Sequence, residues 1–129
     1  MTRTLQGEKV RQRPIYRDSS YDIFLPIAKY FAAGDVESLS AWFAPSLEVS
    51  IFQSCENTSK NQARQVLKTF FSRHSPRAFE MMHQAGRENM KYVLGDLTAG
   101  GEHFSVTIFV CTGPDGKFQI QQIKIDRPE

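Results

Sequence analysis

The chain has 129 residues, 40% of them hydrophobic and 23% charged, with a net charge of +2 at neutral pH. That is enough for one self-folding domain, and it excludes a largely disordered chain. The longest apolar runs, such as VTIFVC at residues 106–111, fall far short of the roughly 20 residues a membrane helix needs. Residues 1–20 hold five of the sixteen basic side chains and two of the fourteen acidic ones, so the remainder is close to neutral and offers no concentrated basic face for nucleic acid.

Residues 1–20 (Arg3, Lys9, Arg11, Arg13 and Arg17 among them) read as a flexible, solvated basic segment ahead of one domain over residues 21–127. This head lacks the continuous apolar core of a secretory signal. As written, the chain reads as cytoplasmic, and a different N-terminus would permit export to the periplasm. Cys55 and Cys111 form no CxxC pair, which removes a redox motif and a zinc knuckle and leaves their oxidation state open.

The stretch from Asp22 to Phe43 carries two helical patterns that meet at Gly34-Asp35. Ile23, Ile27, Tyr30 and Phe31 make one apolar face, and Val36, Leu39, Trp42 and Phe43 make the next. Gly34 ends the first helix and Asp35 caps the second. Pro45 stops helical structure, and Leu47, Val49 and Ile51 alternate along a half-buried strand over 47–52. QSCENTS reads as a polar loop. Ser59 and Gln62 open a third helix, with Ala63, Val66, Leu67, Phe70 and Phe71 in one stripe.

From Arg77 the period becomes two. Four strands are predicted at 78–85, 89–98, 103–112 and 117–126, separated by turns at Gly86, Gly100-Gly101 and Asp115-Gly116. The last contains a phase error: Phe118 and Ile120 share one parity, Ile123 and Ile125 the other. A bulge near Gln121-Gln122 would bring all four to one face and bend the sheet. The fold class is therefore α+β in the order α-α-β-α-β-β-β-β, with a curved antiparallel sheet wrapped over helices into a cone.

On the segments PIAKYFAAGDVESLSAWFA, KNQARQVLKTFF, GRENMKYVLGDLTAGGEHFSVTIFV and QIQQIKID the chain resembles the nuclear transport factor 2-like superfamily. More narrowly, it resembles a family of uncharacterised bacterial proteins that is a domain of unknown function. The resemblance implies the cone and no assigned activity. It also implies that any chemistry must come from polar residues inside the cone, because the superfamily holds isomerases, dehydratases and non-enzymatic binders alike.

An acid–base enzyme needs a carboxylate or histidine in an apolar pocket. His83 alternates with Phe79, Met81 and Ala85, with Glu80 on the opposite face, and Tyr92 shares parity with Met90 and Leu94. Tyr30 and Trp42 belong to the helix pair. These four, Tyr30, Trp42, His83 and Tyr92, are the candidate pocket. His74 beside the helix end has a structural explanation, and His103 at a strand start reads as exposed. Glu48 and Asp96 have no obvious apolar setting. No catalytic set emerges, the histidines at 74, 83 and 103 have no metal-ligand spacing, and no cofactor is implied. Three readings stand: a non-catalytic domain holding a small apolar ligand in its cone or a protein partner on its sheet; a cofactor-independent isomerase or lyase using His83, Tyr92 or Tyr30; and a structural domain that homodimerises through the sheet. Phe79 with Met81, or Phe109 with Cys111, are the expected outer apolar groups for such a dimer.

Overall fold

The computed structural model describes residues 21–128; the basic head segment lies outside the described residues. Helix α1 (Phe24–Ala33) buries Phe24, Ile27 and Phe31, one helical face, with Ile23 and Tyr30 half-buried at its margins. It tolerates Pro26 because a first-turn residue has no intrahelical N–H partner to lose. Gly34 ends it at φ +70°, where its N–H donates to Phe31 O and the Asp35 N–H donates to Tyr30 O. A Cβ at Gly34 would stand 2.7 Å from Pro76 Cγ, so both the dihedral and the packing require glycine. Asp35 then caps α2 (Val36–Ser40): its Oδ1 accepts from the Ser38 N–H at 3.1 Å, and its Oδ2 accepts from the Ser38 hydroxyl at 2.7 Å.

Strand β1 (Phe43–Ile51) begins at Phe43, four residues earlier than the pattern predicts. Pro45 sits within it, where the pairing with the neighbouring strand is interrupted between Phe43 and Glu48, so its missing N–H costs no ladder bond. The segment expected as a polar loop is instead an edge strand, β2 (Ser54–Ser59), paired antiparallel with β1 through the two-residue turn Phe52-Gln53. Helix α3 (Lys60–Arg73) follows directly. Ser59 Oγ accepts from the Gln62 N–H at 3.2 Å, and Ala63, Leu67, Phe70 and Phe71 are buried.

Strands β3 (Pro76–Gly86), β4 (Met90–Ala99), β5 (Glu102–Thr112) and β6 (Phe118–Asp126) form the predicted meander. The sheet has six strands in the order β2-β1-β6-β5-β4-β3, antiparallel throughout except for the parallel β1–β6 pair. The parity shift in β6 is resolved as its sequence requires. Phe109 pairs with Gln122 and Val110 with Ile120, so Gln121 is the extra residue, and Ile120, Ile123 and Ile125 all face the core. All three helices pack on one side of this sheet, against Phe104, Val106, Ile108 and Val110 of β5 and Val93 and Leu97 of β4. The opposite face of β4 and β5 carries residues that are half-buried or exposed.

Candidate functional site

The structure divides the four expected pocket residues between two sides of the sheet. Tyr30 and Trp42 are half-buried and pack against the helix-side core. The Trp42 carbonyl also accepts the Ile120 N–H at 2.6 Å, tying the helix pair to β6. His83 and Tyr92 stand on the outer face, their rings 6.0 Å apart.

The reason is a bulge that the sequence pattern conceals. Met81 pairs with Gly95 and His83 with Leu94, so Met82 is an unpaired extra residue, 64% exposed. Up to Met81 the strand turns its apolar residues inward. Phe79 and Met81 therefore pack against the core rather than forming an outer patch, and Phe79 lies flat over Gly95, where an added Cβ would overlap its ring. Beyond the bulge the parity is reversed, which puts His83 outside, on the same face as Glu80 rather than opposite it. The second expected outer pair, Phe109 with Cys111, does sit outside and half-buried.

Across that face runs one register row: Glu48 of β1, Gln122 of β6, Phe109 of β5, Tyr92 of β4 and Ala85 of β3. Tyr92 and Phe109 stack at 5.2 Å with a 27° interplanar angle. At the β1 end Glu48 Oε2 accepts from the Cys55 thiol at 2.7 Å and from Gln122 Nε2 at 2.9 Å. The Cys55 bond, with the Gln122 bond behind it, holds the Glu48 carboxyl below the ordinary glutamate range. The same bond pushes the Cys55 thiol up, which keeps it protonated and a poor nucleophile despite its exposure.

Toward the β4–β5 turn, His103 Nδ1 lies 2.8 Å from Asp96 Oδ2, with side-chain exposures of 63% and 34%. His103 is exposed as expected, but its carboxylate partner was not anticipated. The signal was available: the Gly100-Gly101 turn sets Thr98 opposite His103 and Asp96 opposite Ser105, making Asp96 and His103 diagonal neighbours. The pair is open to water and lacks the enclosure that general acid–base work requires. His74 packs among the rings of Phe52, Phe70 and Phe104. Among the described residues no group of three or more His, Cys, Asp or Glu side chains is placed to hold a metal ion.

One inward-facing charge was also missed. Lys91 of β4 is 5% exposed on the core side, donates to the Arg87 carbonyl at 2.6 Å and lies over the rings of Tyr21 and Phe118 at 4.9 and 5.6 Å. Its alternation marks it as inward, yet a lysine reads as polar by type.

The family described as "Domain of unknown function (DUF4783)" matches residues 24–126, nearly all of the described chain. The chain belongs to the DUF4783 family. This DUF4783 domain is similar to a DUF4783 family protein from Bacteroides uniformis, at 25% identity and a TM-score of 0.76 over 80% of this chain and 94% of that one. It is similar to another from Bacteroides ovatus, at 23% identity and a TM-score of 0.76 over 80% and 93%. An NTF2-like protein of unknown function from Cytophaga hutchinsonii shares the fold at 6% identity, with a TM-score of 0.61 over 84% and 89%. The chain thus has the fold of NTF2-like proteins, as the sequence resemblance implied. No curated protein matches the chain. Among the described residues no helix is long and apolar enough to cross a membrane.

Proposed function

We propose that this DUF4783 domain is a non-catalytic binding module that works through the outer face of its sheet, and that the partner seated there is a second copy of the chain. The observation that carries this reading is the stacked Tyr92–Phe109 pair, half-buried on a face that none of α1, α2 or α3 covers. Large aromatic groups left half in water are what an interface core is built from.

Charge and area favour a like partner. The two central rows hold Tyr92, Leu94, Thr107, Phe109 and Gln122, with Glu48 at the end of one and Lys124 in the other, opposite charges that a two-fold axis can set against each other rather than like against like. Six strands spaced about 4.8 Å apart, with about 3.3 Å of rise per residue, give a face on the order of 800 Å2, near what each partner buries in a standard interface.

The cone supports an apolar ligand less well. Its helix side is filled by the chain's own side chains, with Phe24, Phe31, Phe43 and Phe104 fully buried there. The isomerase or lyase reading draws no support from His83 and Tyr92, which stand on the outer face, or from Tyr30, which packs into the core margin.

Sedimentation velocity over a micromolar to near-millimolar series tests the proposal. The wild-type chain is expected to dimerise reversibly, and Phe109→Lys to remain monomeric with an unchanged far-ultraviolet circular dichroism spectrum. A wild-type chain that stays monomeric at the highest concentration, or a Phe109→Lys variant that dimerises equally well, overturns it.

A further inference from the structure

At the end of the sheet, where the β1–β2 turn meets the end of β6, lies a surface depression of about 660 Å3 lined by Phe52, Gln53, Ser105, Lys124, Asp126 and Arg127. Three features of its wall fit together. Phe52 and Gln53 form the hairpin turn with φ of +53° and +72°, a left-handed pair ordinarily built from Asn and Gly. A bulky aromatic residue in that conformation is an outlier, and such outliers concentrate at functional positions. The turn holds the Phe52 ring beside Phe70 and Phe104 while leaving the residue 39% exposed at the depression.

The Arg127 guanidinium lies over the rings of Phe52 and Phe104 at 4.8 and 5.4 Å, which places its charge at the depression before any ligand arrives. Its Nη1 pairs with Glu102 Oε1. Nε and Nη2 have no partner among the described residues, leaving part of a planar donor fork available. Lys124 adds a second ammonium, 3.9 Å from Asp126 Oδ2 and within electrostatic reach of Glu48. Gln53 and Ser105 supply neutral donors beside it.

We infer that this depression is a binding site for a small organic anion of the aryl carboxylate kind, its ring set against Phe52 and its carboxylate received by Arg127 and Lys124. Glu102 occupies the same guanidinium from the other edge and so competes with the incoming carboxylate. Asp126 disfavours a dianion, which points to a single carboxylate rather than a phosphate. Both cations are about half exposed, so binding is weak, in the millimolar range. The site borders the proposed dimer face through Lys124, which pairs with Thr107, while Phe52 and Arg127 line it at the end of the sheet. Ser105 is four residues along β5 from Phe109, roughly 13 Å away.

The test is a titration of the 15N-labelled full chain with benzoate at constant ionic strength, with benzyl alcohol and acetate as comparators. Saturable amide shifts centred on Phe52, Gln53 and Arg127 are expected with benzoate, at an affinity several-fold above both comparators. Arg127→Gln should weaken binding at least five-fold, and Glu102→Gln should tighten it two-fold or more. Should Arg127→Gln fail to fold, Lys124→Gln and Glu102→Gln decide the matter in the same experiment. Non-saturating shifts, benzyl alcohol binding as well as benzoate, or unchanged affinity in Lys124→Gln and Glu102→Gln would overturn the inference.

Discussion

Individual residues of this domain are held in places their side chains would not choose, and each gives a measurable consequence. Gln53 adopts φ +72° in the β1–β2 turn, where an L-residue pays roughly 1–2 kcal/mol and glycine does not. Allowing for the larger unfolded-state entropy of glycine, Gln53→Gly is expected to raise stability by about 0.5–1 kcal/mol in urea denaturation; a loss of stability would show that the side chain packs more than its exposure implies. Gly95 is the opposite case. Phe79 covers it, so Gly95→Ala drives a methyl into a ring, and thermal melts should show a loss of about 1–3 kcal/mol. The Glu48–Cys55 bond sets a pH dependence at both ends. Glu48 is held below its ordinary range, so its contribution is present above the unfolded carboxyl value and is lost as pH falls through the folded one. Cys55 is raised, so its share is present below the unfolded thiol value and is lost as pH rises through the folded one. Glu48→Gln should flatten the acid side of the stability profile and speed the reaction of Cys55 with a disulfide reagent at mildly alkaline pH. An unchanged thiol rate would remove the hydrogen bond from this account.

At the scale of elements, sequence patterns were readable wherever one face of a helix or strand was buried and the other was not. The helix pair, the capped α3 and the bulge at Gln121 follow from apolar spacing alone, because a phase error among four large apolar residues has one economical remedy. The edge strand β2 was illegible for the same physical reason. Apart from Thr58 every residue of it is exposed, so no alternation is written into SCENTS, and only the turn and the pairing with β1 define it. The β3 bulge was hidden because Met82, the extra residue, is itself apolar. That error carried over to the candidate site, since it reversed the faces of Phe79 and Met81 relative to His83. Met82 is skipped by the register with β4, so deleting it should leave a folded domain that loses less than about 2 kcal/mol. Deleting Thr107, which is paired with Leu94 on one side and Lys124 on the other, should turn the apolar residues on one side of the deletion outward and abolish the dispersed amide spectrum. If the two deletions behave alike, the bulge assignment fails.

For the whole molecule, the fold and the family are matters of observation, and the proposed use of the domain rests on how the two faces of the sheet differ. The helix side is closed by buried aromatic and aliphatic side chains, while the outer side presents a stacked aromatic pair beside Leu94, Thr107 and Gln122 as its centre. The Asp96–His103 pair and the Glu48–Cys55 pair flank that centre along the strands and across them, where polar groups belong at an interface margin. The proposed dimer would bury Tyr92 and Phe109 of both copies against each other's sheets. Isotope-filtered nuclear Overhauser spectroscopy on an equimolar mixture of labelled and unlabelled chain tests this most directly. The account predicts cross-peaks between chains from the Tyr92 and Phe109 rings to the side chains of Met90 and Leu94. Cross-peaks confined to the β2 or β3 edge, or none at concentrations where the chain sediments as a dimer, would contradict it.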